Sequence, residues 1–219
     1  MPRCRRLSVG GLCYHAINRA NPDIKVFDRT RDCERFMELI AQANQRLPMR
    51  ILAWCFMPNH FHFVLWPRGE GDMSRWMHWL LTSHVLGHHK RNGTYGRIWQ
   101  GRSKAFPIQQ DRHLLKVMRY VERNPLRSGL VERAEDWPWS SLWRHANGTR
   151  PDFSEEGPVD RFDGWIRQVN EPQTDAEVEA IRTCVQRERP FGDLVWTNRT
   201  ARELGLEFTL RGVGRPRER

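Results

Sequence analysis

Cysteine is scarce in this 219-residue sequence, and the few cysteines present do not form a recognisable pair. The five thiols are an odd number and include no Cys-x-x-Cys motif. A disulfide framework and a thiolate zinc site both need cysteines at paired spacings. The cysteine pattern therefore argues against both and predicts a protein of a reducing compartment.

Long apolar runs are also missing. The longest, residues 51–57, is far shorter than the roughly 18–20 residues that a membrane-spanning helix needs. Residues 1–6 are basic but no apolar stretch follows them, so we expect no signal peptide. With 39% hydrophobic residues and ten tryptophans, the chain can still bury a core. These features predict a cytoplasmic protein without a membrane partner.

Lysine is scarce as well: only four lysines accompany 32 arginines, and the formal net charge is +10. The excess is uneven, with +13 on residues 1–150, −6 on residues 151–210 and +3 on residues 211–219. A positive surface attracts polyanions, most commonly nucleic acid, and arginine suits bidentate phosphate contacts. GC-rich codon use also raises the arginine content, so charge alone leaves both explanations open.

The hydrophobic pattern predicts an α+β fold for the first 150 residues. Strands or extended segments are expected at 12–18, 24–27, 51–56, 60–66 and 97–108. Helices are expected at 31–46, from Asp72 to about 91, and from an Asp111 cap to about 124. This order fits a central antiparallel sheet packed against helices.

The composition changes after residue 150. Residues 148–158 are rich in Gly, Pro and acidic residues, which is typical of a linker. Thr174 and Glu177 form a capping box that predicts a helix to about 187, and a second short helix is expected at 199–204. We therefore predict one domain at 1–150 and a small, mostly helical extension at 151–219 with a basic disordered tail.

His60-Phe61-His62 is the sharpest local motif. On a strand, residues i and i+2 point to the same face, about 7 Å apart at Cα, so the two imidazoles project together. Phe61 and Phe63 then point to the opposite face, where helices would cover them. Two histidines on one face can bind a single cation. Because short motifs also occur by chance, histidines with a purely structural role are the alternative.

The helix that follows Asp111 carries a second candidate group. Its apolar stripe consists of Leu114, Val117, Met118 and Val121. Tyr120 lies about 110° and Asn124 about 70° from the centre of that stripe, which predicts an exposed tyrosine with an amide on the same flank. A boundary aromatic and a helix-end residue before Pro125 are the alternative.

A histidine pair, a tyrosine with a neighbouring amide and basic surroundings suggest phosphoryl transfer to tyrosine. A phenol is a poor nucleophile, with a pKa of about 10. A divalent cation on the scissile phosphate would draw charge from its oxygens. Attack would form a phosphotyrosine and release one DNA end as a hydroxyl, and a second hydroxyl could reverse the step without ATP.

Five ordered motifs resemble the REP-associated tyrosine transposases of bacteria, a branch of the single-tyrosine HUH transposases. They are Tyr14-His15-Ala16-Ile17-Asn18-Arg19, residues 57–65, Trp99-Gln100-Gly101-Arg102, residues 119–131 and Trp139-Ser140-Ser141. The resemblance covers about residues 10–145. It implies a ferredoxin-like HUH fold, and cleavage and rejoining of single-stranded DNA with Mg²⁺ or Mn²⁺. The implied substrate is a REP-type hairpin with a short flanking tetranucleotide. The implied oligomeric state is a monomer, with a dimer as the alternative, and the DNA substrate implies a nucleoid-associated protein of the cytoplasm.

The resemblance also implies roles for single residues. His60 and His62 match the HUH pair, Tyr120 the nucleophile and Asn124 a third metal ligand, where related insertion-sequence transposases carry glutamine. Two imidazoles and an amide suit Mg²⁺ or Mn²⁺ better than a closed zinc site. His15 matches a histidine that the family often has; orienting a phosphate or a ligand and a satisfied sheet histidine are both open.

Several basic residues are predicted to bind DNA. They are Arg5, Arg6, Arg19, Arg102, Lys104, Arg119 and Arg123. The core Gly214-Arg215-Pro216 resembles a minor-groove hook, and a solvated basic tail is the alternative. We expect residues 151–219 to modulate the chemistry by contacting DNA or by covering the active site.

Two further functions compete with the strand transferase. One is a non-cleaving DNA-binding protein that recognises palindromic repeats. The other is a metal-dependent nuclease that uses water as the nucleophile, with Tyr120 a bystander. The three differ in whether a covalent adduct forms on Tyr120 and in whether the DNA is cleaved.

Overall fold

Four antiparallel strands form the central sheet of the computed structural model, which describes residues 8–22, 24–149, 151 and 153–211. The strands are β1 Cys13–Arg19, β2 Arg50–Met57, β3 His60–Trp66 and β4 Lys104–Ile108, and their order in the sheet is β2-β3-β1-β4. One helix joins β1 to β2 and another joins β3 to β4. This β-α-β-β-α-β connection is the predicted ferredoxin-like α+β fold.

The five predicted helices are present in the predicted order, together with three short helices that were not predicted. They are α1 Thr30–Arg46, α2 Asp72–Asn92, α3 Arg112–Glu122, α4 Asn124–Arg127, α5 Ser141–Ala146, α6 Trp165–Asn170, α7 Asp175–Arg187 and α8 Leu194–Glu203, with 3-10 turns at Ala134–Asp136 and Glu207–Leu210. Of the described helices, none is long and apolar enough to cross a membrane. The Asp111 cap of α3 and the Thr174–Glu177 capping box of α7 are both present.

Two predicted extended segments differ from the structure. The segment 24–27 is not a strand; the backbone N–H groups of Val26 and Phe27 donate to the carbonyl of Pro58, which fixes a bend over the β2–β3 turn. Of the segment 97–108, the continuous ladder with β1 begins at Lys104. Before it, the Gln100 backbone N–H donates to the carbonyl of Arg19, and Trp99 forms an isolated bridge with Ala20 just past the end of β1. The alternation of side chains in a short segment cannot tell such a packed bend from a strand.

The two faces of the sheet bury different sets of side chains. Phe61, Phe63 and Leu65 pack with α1 and α2 in a first core, as their alternation on β3 predicts. Val64 faces the other way and packs with α3 in a second core. In the ladders, Ile17 and Cys55 are opposite His62, and Arg19 is opposite His60. The histidines therefore lie on the α3 side of the sheet.

The segment after residue 150 does not have a core of its own in the described residues. Trp165 and Val169 of α6 and Val178 and Ile181 of α7 belong to the second core, together with the apolar side of α3. The predicted boundary at residue 150 therefore does not separate two independent packing units.

A buried carboxylate ties α3 to this segment. Glu122 is fully buried and accepts hydrogen bonds from Ser141 Oγ at 2.6 Å, Arg161 Nη2 at 2.9 Å and Trp165 Nε1 at 2.7 Å. A buried carboxylate with three donors is stabilised only while all of them stay in place. The end of α3 is thus fixed by residues from α5 and from the C-terminal segment.

Candidate active site

One cavity of about 720 Å³ brings together most of the predicted site residues. His60 and His62 reach it from β3, Tyr120 from α3 and Asn124 from α4. The predicted DNA-binding residues Arg19, Arg102 and Lys104 also line it. His15, Arg119 and Arg123 do not, and Arg5, Arg6 and the motif at 214–216 lie outside the described residues.

Two hydrogen bonds orient the histidine pair. His60 Nδ1 donates to Asn59 Oδ1 at 2.7 Å, because an amide oxygen can only accept. This bond leaves the lone pair on His60 Nε2. A second bond of 2.9 Å joins His62 Nδ1 to Nε2 of His15. His15 is completely buried and therefore acts on the site through His62 rather than by touching a phosphate.

The site histidines are neutral at physiological pH. Burial lowers the pKa of His60 to about 4, and the charges of Arg19 and Arg127 add to the effect. Burial lowers the pKa of His62 well below its usual value, and it lowers that of His15 to about 3. A neutral imidazole keeps one nitrogen lone pair, which is the form that binds a metal ion.

Tyr120 is not exposed as the helical spacing predicts; only 6% of its surface is accessible. Its ring meets the ring of His62 edge-on, with centroids 5.9 Å apart, and that of His15 at 6.2 Å. The Arg127 guanidinium lies 4.2 Å from the ring centroid on another side. The prediction is wrong because a single-helix wheel cannot account for the cover that the sheet histidines and Arg127 provide.

Asn124 is buried beside the tyrosine, and both ends of its amide are engaged. Its Nδ2 donates to the backbone carbonyl of Tyr120 at 3.2 Å, and its Oδ1 accepts from Arg127 Nη2 at 2.5 Å. An amide oxygen has two lone pairs, so one position stays open for a second partner. The role of Asn124 as a metal ligand stays a prediction.

Arg119 and Arg123 have a different role from the predicted DNA contact. Arg119 is buried and donates to the backbone carbonyls of Glu171 and Pro172. Arg123 donates to those of Val169 and Asn170. Both guanidiniums hold the end of α6 against α3, and neither lines the cavity. The spacing around Tyr120 did not reveal this because the acceptors come from a segment remote in sequence.

The lining residues that were not among the predicted site residues include Arg127, Arg182 and Gln186. Arg127 stands seven positions after Tyr120, but α3 ends at Glu122 and Arg127 lies on the separate helix α4, so helical spacing from Tyr120 does not predict its position. The available signal was its place in the motif at 119–131. Arg182 and Gln186 are four residues apart on α7, and their sequence carries no local signal of the site.

The donors in the cavity fit a hard divalent cation only in part. Two neutral imidazoles and an amide oxygen are suitable ligands, but none of the residues lining the cavity is an aspartate or a glutamate. Across the described residues, no group of three or more His, Cys, Asp or Glu side chains is placed to hold a metal. A negatively charged ligand would therefore have to come from the substrate.

The fold and the cavity define a class of protein: a ferredoxin-like domain with a histidine pair and a tyrosine in one basic site. The chain belongs to the IS200-like transposase family, since the model of the family described as "Transposase IS200 like" matches residues 8–124. This match confirms that the ordered motifs indicate a transposase of this family.

Two curated relatives carry the name of the predicted branch. The REP-associated tyrosine transposase of Escherichia coli K12 is 27% identical over 147 residues, which cover 65% of this chain and 83% of the relative. A putative REP-associated tyrosine transposase of Haemophilus influenzae Rd is 24% identical over 178 residues, which cover 71% of this chain and 97% of the relative. The resemblance to REP-associated tyrosine transposases is thus confirmed.

A solved structure shares the fold. It is a REP-associated tyrosine transposase bound to a REP hairpin, and it matches with a TM-score of 0.58 at 22% identity. The match covers 80% of this chain and 100% of the other. The comparison confirms the predicted α+β architecture.

Proposed function

We propose that the chain is a single-stranded DNA endonuclease and strand transferase that cleaves and rejoins REP-type hairpin DNA. The observation that carries the proposal is the single cavity that holds His60, His62, Tyr120 and Asn124 among basic side chains. Relatives named as REP-associated tyrosine transposases support it, and so does the neighbour described as bound to a REP hairpin.

In the proposed reaction, the hydroxyl oxygen of Tyr120 attacks a phosphorus of the bound strand. A bond from this oxygen to phosphorus forms while the bond from phosphorus to the leaving sugar oxygen breaks. The phenol proton passes to water, and the leaving oxygen takes up a proton and departs as a hydroxyl. A hydroxyl of a second strand then attacks the same phosphorus, which releases Tyr120 and joins the strands without ATP.

The neighbours of Tyr120 hold it for this role. Edge-to-face contact with His62 and the cation–π contact with Arg127 are each worth about 0.5–2 kcal/mol. Together they restrict the ring to one orientation.

His60 and His62 would hold a Mg²⁺ or Mn²⁺ ion, with Asn124 as the third ligand. When bound, the ion draws negative charge from the oxygens of the scissile phosphate and makes the phosphorus easier to attack. Because the protein donors are uncharged, a DNA phosphate has to supply the anionic ligand. Metal binding and DNA binding are therefore expected to strengthen each other.

The proposed unit is a monomer. The histidines, the tyrosine and the amide that line the cavity all come from one chain. The chain's own C-terminal segment holds α3 through Arg119, Glu122 and Arg123. Such contacts oppose transfer of α3 to a second copy. Light scattering that gives twice the chain mass would contradict this part of the proposal.

The test is a covalent adduct on Tyr120. The full chain is incubated with a single-stranded REP hairpin and Mg²⁺ or Mn²⁺, and the adduct is detected by gel shift and by mass spectrometry. We expect wild type and the control Tyr95→Phe to form it, since Tyr95 is 95% exposed and outside the cavity. Tyr120→Phe should form none.

Other outcomes identify the competing functions. Cleavage without an adduct, equally fast in Tyr120→Phe, would replace the transferase with a nuclease that uses water. Hairpin binding without any cleavage would replace it with a DNA-binding protein.

A further inference from the structure

One side of the active-site cavity comes from the C-terminal segment. The residues Arg182, Val185 and Gln186 of α7, here called the α7 wall, line it together with Tyr120 and Arg127. The family match ends at residue 124, so the α7 wall lies outside the matched region.

The α7 wall is held firmly against the site. Val178, Ile181 and Cys184 of α7 are buried in the second core, which places Arg182 and Gln186 on the neighbouring flank of the helix. Beyond the helix, the backbone of Phe191 donates to Pro107 and accepts from Gln109, which fixes the chain to the end of β4. Arg182 therefore faces the cavity from a fixed support.

Arg182 and Arg127 are two cations that face one space without a carboxylate between them. Burial lowers the pKa of Arg127, and the neighbouring charge of Arg182 contributes to the same shift. Across the described residues, no recorded ion pair includes either arginine. With Arg19, Arg102 and Lys104, the cavity has five basic and no acidic side chains. The charges of Arg127 and Arg182 repel each other, and an anion bound between them would remove this repulsion.

We propose that Arg182 and Arg127 together bind a backbone phosphodiester of the DNA strand that Tyr120 attacks. The inference rests on the proposed function and extends it, because it makes the C-terminal segment part of the substrate-binding site. Arginine suits this role, since its planar fork can donate two parallel hydrogen bonds to a phosphate. Arg182 acts by positioning the strand and not by touching the tyrosine.

The test measures binding apart from cleavage. A fluorescent synthetic REP hairpin with a single-stranded 5′ extension is titrated with the full-length chain in EDTA, at several salt concentrations. Arg182→Ala should weaken binding about tenfold, as expected for one charge-assisted hydrogen-bonded contact. The slope of log K against log salt should shrink by about 0.7, the value for one phosphate contact on a single strand. Arg182→Lys should keep most of the slope.

Arg199→Ala is the matched control. Arg199 is exposed on α8 in the same segment and does not line the cavity. The substitution removes the same charge as Arg182→Ala. Its affinity and slope should equal those of wild type. If wild type binds the hairpin while Arg182→Ala behaves like Arg199→Ala, the Arg182 site is wrong and the proposed function stands. A wild-type chain that does not bind the hairpin would overturn both.

Discussion

Single hydrogen bonds decide which nitrogen of each site histidine can face a metal ion. Asn59 Oδ1 accepts the Nδ1 proton of His60 and so leaves Nε2 unprotonated. For His62, Nδ1 is bonded to His15. Partners of this kind fix the tautomer and the orientation of a ligand, and their loss typically costs 10- to 100-fold in metal affinity. Asn59 and His15 thus support the site without entering the cavity.

Asn59→Ala should weaken Mn²⁺ binding about tenfold, because the acceptor that keeps the proton on His60 Nδ1 is lost. The measurement uses chains that also carry Tyr120→Phe, so that the bound hairpin DNA cannot react with the tyrosine. Each complex is titrated with Mn²⁺, and free Mn²⁺ is quantified by electron paramagnetic resonance. Asn59→Asp keeps an acceptor oxygen and should retain the affinity. Asn147→Ala, at the exposed position that follows α5, is the control and should have the same affinity as the Tyr120→Phe chain. Equal affinity for Asn59→Ala would contradict the tautomer argument.

Elements with a strong local signal were predictable from the sequence. The bounds of β3 are as predicted because a tight turn precedes a run of residues whose side chains alternate between the two covered faces of the sheet. The α7 helix begins where its capping box predicts. The six-residue helices α5 and α6 were missed because they span too few turns for a periodic pattern. The start of α8 was missed because its cap is Asp193, well before the predicted start.

The candidate site was predictable to the extent that its residues lie close in sequence. The position of His60, His62, Tyr120 and Asn124 around one cavity agrees with the motifs. The burial of Tyr120 and the role of Arg119 depend on contacts with distant segments. Helical spacing reports the angle of a side chain on its own helix, but not what other elements place against it.

The α2 helix carries a buried histidine that should make stability depend on pH. His84 is 2% exposed and packs against the rings of Phe27, Phe36 and Trp99. Burial lowers its pKa to about 3, and the charges of His88 and Arg91 add to the shift. The unfolded chain therefore takes up this proton at a higher pH than the folded chain. The contribution to stability is complete above pH 6.5 and is lost as the pH falls.

His84→Phe should reduce the loss of stability between pH 7 and pH 5 by about 2 kcal/mol, the linkage expected for one such histidine. Urea unfolding at both pH values gives the two free energies. His78→Gln changes an exposed histidine on the same helix and should leave the difference as in wild type. If the stability of His84→Phe depends on pH in the same way as that of wild type, the pH dependence does not come from His84.

Charge and packing divide the molecule differently. By charge, residues 1–150 carry +13 and residues 151–210 carry −6, which suggests a DNA-binding part and an acidic appendage. By packing, the described residues of the second part complete the core under α3, and Arg182 brings a positive charge back to the cavity. Although this segment is acidic overall, it places a basic side chain, Arg182, at the cavity where we propose that a phosphate binds.

A fragment of residues 1–150 should not fold cooperatively, because it lacks one side of the second core. The side chains of Trp165, Val169, Val178, Ile181 and Cys184 are buried there. Each buried apolar side chain of this size is worth about 1.5–3 kcal/mol, so their sum is close to the 5–15 kcal/mol stability of a whole domain. Loss of Arg161 would also leave the carboxylate of Glu122 buried without its cation.

A fragment of residues 1–193 is the matched comparison. It keeps α6, α7 and the contact of Asp193 with Gln109, and should show one cooperative urea transition. The shorter fragment should unfold without a sharp transition and bind a dye for exposed apolar surface. A cooperative transition together with full hairpin affinity in the 1–150 fragment would contradict this prediction. It would mean that α3 holds its place without the C-terminal segment.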